Sequence, residues 1–239
     1  MSAANALSTV RFSDWDLSPN IANAISSKGW DFVTPIQAES IPLARSGRDI
    51  VGQARTGSGK TVAFGIPIIE NSQPTGQTQA LVLCPTRELA QQVADDTVLL
   101  ATGTNIRTAA IFGGVGYGPQ IKALESGFEV IVATPGRFID HAQSKRVDLS
   151  NVNYLVLDEA DRMLDMGFRP QIEEVLRGMP NKRQTMLFSA TMPNGVHDLA
   201  LRITREAIWV EATPPGTVSY THLRAHETDS YLVCRLLLE

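Results

Sequence analysis

Two short stretches carry residue types at spacings suited to phosphate chemistry. ARTGSGKT, Ala54 to Thr61, nearly satisfies the pattern GxxxxGK[ST], with Ala54 standing where that pattern places its first glycine. Gly57 and Gly59 allow backbone N–H groups to turn toward phosphate oxygens. Lys60 supplies an ammonium and Thr61 a hydroxyl able to ligate magnesium. The stretch follows apolar DIVGQ and runs into TVAFGIPIIE, the strand–loop–helix context in which a helix N-terminus adds partial positive charge. The second stretch is NYLVLDEAD. Asp158 ends its apolar run, which puts the carboxylate at a sheet edge beside a nucleotide-bound Mg2+, and Glu159 follows, able to orient or deprotonate a water.

Such groups must be held by regular elements, and the chain repeats one pattern. Short apolar, β-branched runs recur at 49–53, 79–84, 107–112, 129–134, 153–158, 184–189 and 207–211, and each reads as a buried strand. Amphipathic segments lie between them. In TRELAQQVADDTVLLA, Leu89, Val93, Val98 and Leu99 approximate one helical face. Strand alternating with helix predicts a mostly parallel α/β sheet with helices on both faces and ligand loops at the strand C-terminal ends. Pro214-Pro215-Gly216 closes the pattern and reads as the start of a linker, so residues 1–213 form the expected domain.

Composition bounds the rest. With 43% hydrophobic residues among 239, the chain can bury a sizeable core. No apolar run reaches membrane-spanning length and the N-terminus lacks a leader pattern, which predicts a cytoplasmic protein with no membrane partner. The only cysteines, Cys84 and Cys234, form no disulfide framework and no metal-ligand spacing. Net charge is −4, so any nucleic-acid surface must be local. His141 and His197 fit no motif and read as surface or helix-end residues.

Asp158-Glu159-Ala160-Asp161 spells DEAD, and over residues 11–213 the chain resembles the N-terminal RecA-like domain of DEAD-box ATP-dependent RNA helicases. The first motif of that family is similar to AxTGxGKT, so Ala54 belongs to its pattern. The resemblance implies ATP and Mg2+ as cofactors, with Ala54, Thr56, Gly57, Ser58, Gly59, Lys60 and Thr61 around the phosphates and Thr61 and Asp158 toward the metal. GWDFVTPIQ (29–37) is similar to the family's Q motif, which implies that Gln37 reads adenine through its amide and that Phe12 stacks on the base. Both Phe12 and Trp30 are equally compatible with core packing.

PTRELA (85–90), Gly113-Gly114 and TPGR (134–137) each follow an apolar run, on loops that can share one surface. In the family these hold a single RNA strand by its sugar–phosphate backbone, indifferent to base sequence. That implies RNA contacts from Pro85, Thr86, Arg87, Gly113, Gly114, Thr134, Pro135, Gly136 and Arg137, with the two arginines as phosphate-pairing cations. Ser189-Ala190-Thr191 matches the third motif, whose hydroxyls the resemblance links to Asp161 and to RNA-dependent closure.

The family also uses a second RecA-like domain in cis, whose arginines reach the γ-phosphate, and the tail does not resemble one. VSYTHLRAHET can be back-translated into codons that resemble a transposase adaptor used in sequencing-library preparation, so residues 217–239 are expected to be adaptor-derived. The expected activity is ATP hydrolysis coupled to local RNA duplex opening in the full-length enzyme, with this fragment largely inactive alone. The alternative is a non-catalytic RNA-binding or scaffold module with a nucleotide switch.

Overall fold

The computed structural model describes residues 7–212; the expected linker and adaptor-derived tail lie outside them. All seven apolar runs form strands: β1 (Ile50–Gln53), β2 (Ala80–Leu83), β3 (Thr108–Ile111), β4 (Val130–Ala133), β5 (Tyr154–Leu157), β6 (Gln184–Ser189) and β7 (Ile208–Glu211). They pair in one sheet of order β3-β4-β2-β5-β6-β1-β7, every pairing parallel.

Alternate strand residues feed two cores, as the period of two requires. Ile50, Val82, Val132, Val156 and Phe188 point to one face. There they meet α1 (Pro19–Ser27), α2 (Pro35–Arg45), α3 (Lys60–Asn71) and α4 (Arg87–Leu100). Val51, Leu81, Ile131, Leu155 and Leu187 point to the other. That face is covered by α6 (Pro135–Gln143), α7 (Ala160–Asp165), α8 (Arg169–Arg177) and α9 (Asn194–Ile203), while α5 (Tyr117–Glu125) flanks the edge strand β3. The central strands β2, β4 and β6 are buried throughout, but the edges β3 and β7 alternate, and Trp209 of β7 is exposed. The expectation of seven fully buried strands therefore fails at the two edges, where one neighbour is missing.

The inward face of α4 also differs from expectation. Ala90, Val93, Ala94, Thr97 and Leu100 are buried, whereas Val98 is 52% exposed. Small residues let α4 approach the sheet closely, and Thr97 satisfies its hydroxyl within the helix by donating to the Val93 carbonyl at 2.7 Å.

Candidate active site

The loop between β1 and α3 is fixed at both ends. Ala54 donates its N–H to the Ser189 carbonyl at 2.9 Å, extending the β1–β6 ladder one step, and its methyl group is buried in the first core. Gly57 and Gly59 then turn through φ of 78° and 87°, where a side chain is strained. A Cβ on Gly59 would also collide with the Gln37 amide. Thr56 is exposed and Ser58 half-buried along this turn. Gly59 is the N-cap of α3 and offers no side-chain cap, so the first-turn N–H groups beside half-buried Thr61 point outward from the helix end. Lys60 is buried, with Nζ donating to the carbonyls of Ala54 (3.3 Å) and Arg55 (3.1 Å) and standing 3.8 Å from Asp158 Oδ1.

Asp158 closes β5 at 2% exposure, and its Oδ1 accepts from the Glu159 N–H at 3.0 Å. Burial pushes its carboxyl up to about 6; the Lys60 ammonium pulls it back and the Glu159 carboxylate adds to the rise. Glu159 adopts φ 55°, ψ 54°, a left-handed conformation costing on the order of 1–2 kcal/mol for a residue with a side chain. Its carboxylate is held across the gap to the glycine loop: Oε1 accepts from the Thr56 hydroxyl at 2.7 Å and Oε2 pairs with Arg162 at 3.5 Å. Cys84, at the end of β2, is buried with its thiol held well above the ordinary range by burial and by Asp158 and Glu159, which leaves it unreactive.

The three residues expected to couple the motifs meet directly. Asp161 donates its N–H to Ser189 Oγ at 3.0 Å, and its Oδ2 accepts from the Thr191 N–H (2.9 Å) and hydroxyl (2.7 Å). Burial alone would raise the Asp161 carboxyl, but these hydrogen bonds outweigh it and hold the group below its ordinary value. Ser189 thus links Asp161, through its hydroxyl, to Ala54, through its carbonyl.

Gln37 is buried against the same loop. Its Oε1 accepts from the Thr34 N–H at 2.8 Å, Thr34 Oγ1 accepts from the Gln37 N–H, and Nε2 donates to the Gly59 carbonyl at 3.0 Å. Thr34 to Gln37 is a capping box on α2, a T-x-x-Q signal legible in the sequence whose second job, bracing Gly59, is not. An amide has two donors and two acceptor sites, so one of each remains. Phe12 takes the core position that its ring also suits. It is 5% exposed, lies in the first core and packs at right angles to the Trp15 ring, 5.9 Å away. Trp30 packs half-buried on the same core.

At the other end of the sheet edge, Pro85 is buried after β2 and Thr86 caps α4 by accepting from the Leu89 N–H at 3.3 Å. Arg87 is exposed, pairs with Glu88 at 2.8 Å and lies beside Gly114, where an added Cβ would stand 3.3 Å from its guanidinium. Gly113 is half-buried and Gly114 takes φ 81°. After β4, Thr134 precedes α6, whose first residues are Pro135, Gly136 and Arg137. Arg137, expected as a phosphate-pairing cation, is held within the fold. Its side chain is 10% exposed, and it donates from Nη1 to the Val115 carbonyl at 3.0 Å while lying 3.9 Å over the Tyr117 ring. His141 is fully buried, contrary to its reading as a surface residue, although it does lie in the last turn of α6; His197 is exposed and stacks on Trp209.

The strand order sorts these loops. Those following β3, β4 and β2 are neighbours, and so are those following β5, β6 and β1. One half of the edge therefore gathers Gly113-Gly114, Arg87 and Arg137, and the other gathers Lys60, Asp158, Glu159 and Ser189. No group of three or more His, Cys, Asp or Glu side chains among the described residues can cage a metal. One carboxylate and one hydroxyl suit a cation such as Mg2+ that completes its shell with phosphate oxygens and water.

A seven-stranded parallel sheet with helices on both faces and these loops along one edge defines a RecA-like α/β domain. Residues 34–199 match the DEAD/DEAH box helicase family, and the chain belongs to that family. It is 45% identical over 199 residues to the DEAD-box ATP-dependent RNA helicase CshA of Bacillus subtilis, covering 83% of this chain and 40% of that protein. To DEAD-box ATP-dependent RNA helicase 14 of Arabidopsis thaliana it is 46% identical over 188 residues, 76% of this chain and 30% of the other. The crystal structure of a DEAD box protein from the hyperthermophile Methanococcus jannaschii superposes with a TM-score of 0.82 at 44% identity, covering 85% of this chain and 56% of that one. The chain spans about half the length of the curated relatives it matches. No helix among the described residues is long and apolar enough to cross a membrane.

Proposed function

We propose that this chain is the ATP- and RNA-binding half of an ATP-dependent RNA helicase that couples hydrolysis to local duplex opening. The observation that carries this reading is the sorting of the sheet edge, with phosphate-type and acidic groups after β5, β6 and β1 and cationic glycine loops after β3, β4 and β2. In this reading Ala54 through Thr61 form the phosphate loop. Lys60 exchanges its two loop carbonyls for phosphate oxygens, a stronger charge-assisted pairing. Thr61 and Asp158 hold Mg2+, which offsets phosphate charge when bound. Asp158 is a fitting ligand because its buried carboxylate gains most from a nearby cation. Glu159, already oriented by Thr56, positions the attacking water. Arg87, Arg137 and the backbone around Gly113-Gly114 hold a single RNA strand without reading its bases. Asp161, Ser189 and Thr191 tie the acidic segment after β5 to the loop after β6 and, through the Ser189 carbonyl, to Ala54.

Hydrolysis also needs charge stabilisation on the γ-phosphate, typically worth about 10³–10⁵ in rate when an arginine supplies it from outside the loop. The family assigns that group to its second RecA-like domain. The test is RNA-stimulated ATP hydrolysis by residues 1–212 fused to the remaining part of a CshA relative. Glu159→Gln in that fusion should bind Mg·ATP nearly normally yet lose turnover, and turnover at the parent rate would remove Glu159 from the role. Gln37→Ala should weaken ATP more than GTP; equal losses would reject adenine reading by this amide.

A further inference from the structure

Side chains that take no part in the nucleotide chemistry join the loop after β3 to the helix after β4. Gln120, buried in α5, donates from Nε2 to the carbonyl of Phe112, the residue just before Gly113-Gly114, at 2.8 Å. A carbonyl only accepts, so this bond fixes the amide orientation and turns Oε1 toward His141 Nε2, 3.2 Å away. The His141 proton therefore sits on Nε2, in keeping with Nδ1, which is buried without a hydrogen-bond partner. Burial first, and then Arg146 and Arg137, hold the imidazole below its ordinary value against the pull of Asp140, so it remains a neutral donor.

Tyr117 completes the connection. Its ring lies 5.5 Å from the His141 ring, its hydroxyl donates to Asp140 Oδ2 at 2.7 Å, and its face carries the Arg137 guanidinium at 3.9 Å. Arg137 is also tied to the Val115 carbonyl, on the far side of the glycine pair. An arginine loses side-chain entropy when it engages a phosphate, and here much of that freedom is already lost on folding, because Nη1 is held by the Val115 carbonyl and Nε lies 3.9 Å from Asp140 Oδ2.

We propose that Tyr117, Gln120 and His141 are positioning residues for RNA binding, locking the Gly113-Gly114 loop to the helix that carries Arg137 so that its guanidinium is presented in a fixed orientation. This rests on the reading above that Arg137 contacts the RNA backbone. Tyr117 is the site to test because it is 43% exposed and its replacement does not empty the core.

The experiment measures labelled oligouridine anisotropy at low salt, with a fluorescent ADP titration in parallel, on residues 1–239 and on Arg137→Ala, Tyr117→Leu and Tyr117→Phe. Tyr117→Leu should weaken RNA about fivefold, the size of one cation–π contact, with ADP affinity unchanged, and Tyr117→Phe, which keeps the ring, should restore most of the loss. If Arg137→Ala weakens RNA but Tyr117→Leu does not, the positioning role is wrong and the RNA reading stands. If Arg137→Ala has no effect, the RNA reading of this loop fails and the proposal with it. Parallel losses of RNA and ADP binding in Tyr117→Leu mean general destabilisation and also overturn it.

Discussion

Asp158 shows how a single side chain sets fold against chemistry. Its carboxyl is raised by burial from 3.8 to about 6, so between those values the folded chain holds a proton that the unfolded chain has released. The stability this group contributes is complete below 3.8 and is lost as pH rises through about 6. Above that the fold carries a buried charge that Lys60, 3.8 Å away, offsets only in part. Urea unfolding of the parent and Asp158→Asn across this range should therefore show the difference drifting in favour of the variant as pH increases, whatever constant offset the lost Lys60 pairing adds. A drift the other way, or none, would contradict the raised value. Residue roles of this kind are half legible in sequence. Asp158 is marked by its place at the end of an apolar run, but nothing in the one-dimensional pattern shows that Thr56 reaches Glu159 or that Gln37 braces Gly59, because those contacts join segments 103 and 22 residues apart.

At the scale of elements, the seven strands are readable because short apolar runs alternating with amphipathic segments have few other folds open to them, even though the edge strands β3 and β7 are only partly buried. The α4 face is misread for the opposite reason: its packing positions are Ala90, Ala94 and Thr97, which hydropathy ranks below the exposed Val98. Phe12 is left open between base stacking and core, and His141 between surface and helix end, because an aromatic or imidazole ring suits core and surface alike; long-range packing buries both, His141 at the end of α6. Packing also sets the β1 tolerance. A Cβ on Gly52 would lie 2.6 Å and 2.7 Å from the Phe188 ring atoms and 3.3 Å from Ile36, so strand propensity favours alanine there while sterics forbid it. Gly52→Ala should cost about 1–3 kcal/mol, lowering the thermal midpoint by roughly 3–10 °C. Val98→Glu should stay within about 0.5 kcal/mol of the parent. Equal midpoints for Gly52→Ala and parent, in calorimetry, would show that the ring has room to move.

Over the whole molecule, one sheet edge carries two kinds of loop, and the Asp161–Thr191 and Asp161–Ser189 hydrogen bonds, continued by the Ser189 carbonyl to Ala54, join the DEAD segment to the loop after β6 and the glycine loop after β1. On the proposed reading, the half formed by β5, β6 and β1 is an ATP site built around Lys60. Calorimetric titration of Mg·ATP into residues 1–239, parent and Lys60→Ala, tests it most directly. The parent should show saturable single-site binding and the variant a loss of about tenfold or more, the scale of a charged hydrogen bond. Absence of binding by the parent, or equal affinity in both, would contradict it.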